Sequence, residues 1–169
     1  MSTPRFFFVS DQEAEFYNNP RKGWEEIITR FPNSVRDIEE AYKCFALSRN
    51  AAAVFHSLQV VEAGLIELGK LFGVTDPLPG WTATTGKLKK ILDTKYRYRT
   101  PFEQANSAFL EQMHAAIHAL QLAWRNKVSH VAGKLFVMTS DFHPEVAEEI
   151  LVTSRALMRR LATEAPWPS

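Results

Sequence analysis

Between Asn50 and Phe72 the chain carries a helical stretch that is apolar around most of its circumference. A helix with one apolar face needs one neighbour, but a helix apolar all round must be enclosed. The rest of the chain therefore has to supply helices that surround this one. Gly73 is placed to end it, because glycine accepts the left-handed conformation at helix termini. The first neighbour is legible just upstream. After Pro32, Ser34 or Asn33 offers an N-cap, and Asp37, Glu39 and Glu40 load the first turns with acid. Val35, Ile38, Tyr42, Phe45 and Ala46 then recur at helical spacing, which predicts a helix over 34–49. The short connection folds the two helices into an antiparallel hairpin.

Downstream, 75–85 reads as loop, with Pro77, Pro79 and Gly80, and 86–94 as a short helix. After a break at 95–101, the longest helix is expected from Phe102 to Arg125 or slightly beyond. Its inner stripe is Phe102, Phe109, Met113, Ala116, Leu120 and Ala123. Residues 133–139 are expected to be extended. A last helix runs from Asp141 or Pro144 to Ala162, with a core face of Ala147, Ile150, Leu157 and Leu161. Acid at Asp141, Glu145, Glu148 and Glu149 opens it, and Arg155, Arg159 and Arg160 close it, matching the helix dipole. Before Pro32, Phe6–Val9 offers a short strand or hydrophobic anchor and Glu25–Ile28 a short helix. The fold expected is all-α: an N-terminal arm (1–32), an antiparallel bundle of four to five main helices (33–163) and a tail (164–169).

An apolar share of 46% excludes a disordered chain, and no apolar run approaches a membrane span. The opening residues lack the cleavage site of a secretory signal. With Cys44 as the lone cysteine, neither an intramolecular disulfide nor a Cys-based zinc site is expected. These features predict a soluble cytoplasmic protein with no membrane partner. A net charge of +1 gives no global pull on nucleic acid, so any such binding needs a local patch. No phosphate-cradling glycine loop, nucleophile elbow or dinucleotide fingerprint is present, which leaves ATPase, α/β-hydrolase and dehydrogenase functions without support.

Polar residues stand out against this apolar background. Gln59 and Glu62 share one face of the enclosed helix. Burial of Glu62 requires a partner, for which Arg125 is the candidate, unless the carboxylate reaches solvent at a gap in the bundle. His56 lies on another face and reads as a hydrogen-bonded core histidine. Gln104, Ser107, Glu111, His114, His118, Gln121 and Arg125 form a polar stripe on the long helix. His114 and His118, with Glu111, have metal-binding spacing, but a solvated or dimer-facing stripe is the better account, and no metal site is predicted. Lys95-Tyr96-Arg97-Tyr98-Arg99 alternates basic and aromatic residues. Such a pattern can stack on unpaired bases and hold phosphates, or it can pack its tyrosines down and turn its charges out. Finally, Trp124-Arg125-Asn126-Lys127-Val128-Ser129-His130 sets a phosphate-gripping arginine near a histidine that titrates close to neutrality. On a continuous helix the two side chains would stand roughly 140° apart. They can converge only if the helix ends or distorts, or across a symmetric dimer; otherwise they are a helix-end cation and a capping histidine.

Arg125-Asn126-Lys127-Val128-Ser129-His130 resembles the R-x4-6-H motif of the HEPN superfamily, in its form with Asn directly after Arg. The helical pair containing 41–46 and 53–62 is similar to the first pair of many bacterial members, and the final helix matches too. The resemblance covers about residues 34 to 163 and implies a helical bundle that dimerises through its motif-bearing helices. Active members are metal-independent endoribonucleases, often toxins or RNA-cutting parts of phage-defence systems. In this chain the resemblance makes His130 the general acid or base, Arg125 the phosphate clamp and Asn126 an orienting group. Glu62 would position Arg125, Gln59 and Ser129 would support the site, and Lys127 with residues Lys95 to Arg99 would contact RNA. Relatives often carry a basic residue at the position of Gln59. The implied product end is a 2′,3′-cyclic phosphate, and no cofactor is needed. An antitoxin or nucleotidyltransferase-like protein is a candidate partner. The alternative is a non-catalytic HEPN module that binds a partner protein or nucleotide.

Overall fold

The computed structural model describes residues 10–76, 78, 80–125 and 142–168. Among these residues the chain is all-helical: α1 (Asp11–Asn18), α2 (Glu25–Arg30), α3 (Val35–Ala46), α4 (Asn50–Leu71), α5 (Gly80–Asp93), α6 (Pro101–Ala105), α7 (Ser107–Leu120) and α8 (Pro144–Glu164). The apolar helix α4 is the centre. It packs most extensively on α3, then on α8 and α5. Ala53, Val54, Val60, Val61, Leu65 and Leu68 are each 0% exposed, as full enclosure requires. By length and composition α4 is the one described helix that could cross a membrane, although no apolar run of that kind was expected. Its neighbours on several sides identify it as a core helix.

The α3–α4 hairpin forms as expected. Its three-residue turn holds Ser48 at φ +55, and the Arg49 N–H donates to the Cys44 carbonyl at 2.8 Å. Gly73 ends α4 at φ +75, where a side chain would be strained. The start of α3 differs from expectation. Neither Asn33 nor Ser34 caps it with a side chain, because a 3₁₀ turn, Pro32–Ser34, leads directly into the helix. The buried Ser34 hydroxyl instead donates back to the Phe31 carbonyl at 2.7 Å.

Three further expectations are corrected. Helix α5 begins at Gly80, so 80–85 is not loop: Trp81 is 1% exposed, and the Thr84 hydroxyl donates to the Leu65 carbonyl of α4 at 2.7 Å. Tertiary burial overrides the local Pro and Gly signals here. The helix expected over 102–125 is broken at Asn106, whose side chain donates to the Phe102 carbonyl at 2.8 Å. Such local side-chain bonding competes with helix continuation. The buried stripe of α7 is Leu110, Met113, Ile117 and Leu120, while Phe102 is exposed and Phe109 only half-buried. Helix α8 opens with Pro144 in its first turn and continues to Glu164, so its last turn holds no basic residue. Arg155 and Arg159 tie the helix sideways, to the Tyr42 hydroxyl at 3.3 Å and the Gly23 carbonyl at 3.2 Å.

The described part of the N-terminal stretch contributes to the core through Trp24, Ile27 and Phe31. The C-terminal stretch returns to the body through Trp167, whose indole N–H donates to the Leu161 carbonyl at 2.8 Å and whose ring stacks under Arg30. In the core, the Ser154 hydroxyl of α8 is buried without a hydrogen-bond partner. Removing an unsatisfied buried hydroxyl releases its desolvation cost. Ser154→Ala is expected to stabilise the fold by about 1 kcal/mol in urea denaturation.

Candidate functional site

Residues 121–125 continue α7 as a π-helical turn, Gln121–Arg125. A π turn winds more widely than an α turn, and π turns are frequent at functional sites. It is a helix distortion just ahead of the Arg125–His130 interval. The Arg125 side chain and Asn126, Lys127, Ser129 and His130 lie outside the described residues, as does 133–139.

Gln59 and Glu62 project from α4 into the wall of a concavity of about 600 Å³, with Asp37, Ala63, Ile66 and Leu78. Both are half-buried. Helix α5 begins directly against Glu62: a Cβ added at Gly80 would stand 3.1 Å from Glu62 Cγ and from its carbonyl oxygen. Glycine permits this approach, which sets the carboxylate-bearing turn of α4 beside a helix N-terminus, where negative charge is favoured. Asp37 also belongs to this wall, a residue that the sequence suggested only as a helix-start acid. His56 is half-buried, with Nδ1 2.8 Å from Asp37 Oδ1, so it is the hydrogen-bonded histidine expected.

A second concavity, about 900 Å³, is lined by residues of α1, α2, α3 and the loop at 19–22. Its charges neutralise one another: Lys22 pairs with Glu15 at 2.8 Å, while Glu39 takes Arg21 and Lys43. Hydrogen bonding by Lys22 and by Arg21 holds the Glu15 and Glu39 carboxyls below the usual range. Among its described lining residues no field of one sign is left to select a charged ligand.

The basic–aromatic stretch does not pack its tyrosines down. Tyr96–Tyr98 is a 3₁₀ turn with its tyrosines outward, at 58% and 67% exposure, and with the Arg97 guanidinium 4.7 Å from the Tyr98 ring centroid. Arg99 turns inward. It donates to the Thr94 and Leu92 carbonyls at 3.0 and 2.8 Å and to Ser107 Oγ at 2.9 Å, closing the end of α5 onto α7. Lys95, Tyr96, Arg97 and Tyr98 therefore form an exposed platform, and Arg99 is its structural support. Arg99→Ala is expected to cost about 1–3 kcal/mol of stability by thermal denaturation. Tyr98→Ala is expected to leave stability within about 0.5 kcal/mol and to weaken binding of a labelled single-stranded RNA.

His114 and His118 stack on α7, with ring centroids 5.7 Å apart. Burial first, and then the neighbouring His118 and Lys89, hold the His114 imidazole below its ordinary pKa, with Asp93 acting in the opposite sense. Glu111 is exposed, and among the described residues it joins no metal-ligating cluster.

Comparison of the chain with protein families, curated proteins and solved structures finds no match.

Proposed function

We propose that the protein is a metal-independent endoribonuclease of the HEPN type, a cytoplasmic homodimer acting in toxin–antitoxin, phage-defence or stress biology. The observation that carries this reading is the order Arg125-Asn126-x3-His130 starting in a π-helical turn at the end of a bundle helix. The exposed Tyr96–Tyr98 platform supports it, since it offers stacking surface and cations to an unpaired strand. So does Glu62, a half-buried carboxylate of the central helix suited to orient a guanidinium.

In this mechanism His130 removes the proton from a ribose 2′-hydroxyl, and the oxygen attacks the adjacent phosphorus. The P–O5′ bond breaks, leaving a 2′,3′-cyclic phosphate on one fragment. The departing 5′-oxygen takes a proton to become a hydroxyl, from the partner subunit's His130 or from water. Arg125 forks onto the phosphate oxygens as charge builds there, and Asn126 orients the phosphate or the backbone that carries it. Dimerisation through the motif-bearing helices brings two such sets into one cleft.

The test is incubation of the purified dimer with labelled single-stranded RNA and total RNA in the presence of EDTA, followed by analysis of the product ends. Cyclic phosphate ends are expected. A folded dimer that cuts neither RNA would overturn the enzyme and leave a non-catalytic module that binds a protein or nucleotide partner.

A further inference from the structure

Asp37, Glu40 and Cys44 occupy positions i, i+3 and i+7 of α3, one stripe along a single face. Across the hairpin, α4 brings His56 to this stripe. A carboxylate oxygen of Glu40, the sulfur of Cys44 and a ring nitrogen of His56 lie within 4.8 Å of one another. Three donor types, each a zinc ligand in its own right, thus meet between two packed helices joined by a three-residue turn. We propose that Glu40, Cys44 and His56 bind a zinc ion that clips α3 to α4, with Asp37 positioning the imidazole.

The geometry is close to what zinc requires. Zinc bonds of about 2.0–2.3 Å imply tetrahedral donor–donor separations of roughly 3.3–3.8 Å, so side-chain adjustments of about 1 Å complete the set with the helix backbones in place. Asp37 supplies the feature that separates a ligand histidine from a chance neighbour. Its Oδ1 stands 2.8 Å from Nδ1, so in the tautomer that donates to this carboxylate Nε2 is the nitrogen left to ligate, the arrangement in which a carboxylate, a histidine and a metal stand in line. Among the described residues, no hydrogen bond or ion pair engages the Glu40 carboxylate, which is half-buried. Burial, and next the Glu40 charge, push the Cys44 thiol up, with Arg49 acting more weakly in the opposite sense. Metal binding would therefore release the thiol proton. A thiolate and an imidazole select zinc over magnesium or calcium, and water fills the fourth position. This inference does not rest on the ribonuclease reading.

The experiment uses the full chain, stripped of metal and titrated with Zn²⁺ by calorimetry and with Co²⁺ by absorption. One equivalent of each is expected to bind. Cobalt should show a sulfur-to-metal charge-transfer band and tetrahedral ligand-field bands, and zinc should raise the melting temperature. Cys44→Ser is expected to lose the charge-transfer band, and His56→Ala or His56→Gln to lose stoichiometric binding, with circular dichroism checking the fold of each. Asp37→Asn is expected to weaken zinc affinity by roughly 10–100-fold while keeping the cobalt spectrum, an effect that a purely structural hydrogen bond would not produce. A His114→Ala/His118→Ala double variant is expected to bind as the parent does. Absence of the charge-transfer band in the parent chain overturns the proposal. So does zinc binding unchanged by Cys44→Ser and His56→Gln, or binding lost instead in the double variant.

Discussion

His130→Ala and Arg125→Ala, each in a protein that is still a folded dimer, are expected to lower RNA cleavage by about a thousandfold or more. A positioned general acid–base contributes about 10²–10⁴ in rate. Removing a donor aimed at developing charge costs about 10²–10³. Groups that act as one unit lose function together, so the double variant should be barely worse than either single one. The readout is the single-turnover rate on a labelled single-stranded RNA with EDTA present. Arg125→Lys adds discrimination: it keeps the charge but loses the planar fork, so a phosphate clamp should recover only in part. A merely structural arginine would instead show its loss in the melting temperature. Cleavage persisting at the parent rate in both alanine variants would remove the assignment of this motif to the chemistry.

The second large effect concerns stability. Trp81→Ala is expected to destabilise the fold by about 3–5 kcal/mol, the cost of emptying a fully buried aromatic site. In a domain of this length that corresponds to a drop of roughly 10 °C in melting temperature. Trp81 lies in the first turn of α5, one residue from Gly80 at Glu62 and three from Thr84, which bonds α4. The loss should therefore loosen the wall around Glu62 as well as the core. If 80–85 were a surface loop, the same substitution would cost under about 1 kcal/mol. Urea denaturation separates the cases, with the midpoint falling and the slope unchanged if only the native state is weakened.

What the sequence determined by itself is the part written in period and punctuation. The apolar circumference of 50–72 required enclosure, and α4 is the enclosed helix. The alternation of apolar positions along α3 and α8 named the faces that do the enclosing, and Gly73 marked the stop at positive φ. The order Arg125-Asn126-x3-His130 was also legible, because a motif is a property of the chain alone. What only the tertiary structure decided is whatever depends on neighbours distant along the chain. Trp81 and Thr84 became helical because α4 offered them a slot and a carbonyl, a gain that outweighs the local turn signals of 75–80. Arg99 turned inward because the carbonyls ending α5 and the Ser107 hydroxyl converge on it, while its alternation with tyrosines suggested a surface cation. Cys44 shows the same limit most sharply. As a lone cysteine it gave no expectation of a zinc site; α3 by itself sets it one turn from Glu40, and only the folding of α3 against α4 brings His56 to the pair. Sequence fixes which side chains each helix can present; the closing of helix on helix decides which of them meet, because contact energy is realised only between surfaces already brought together.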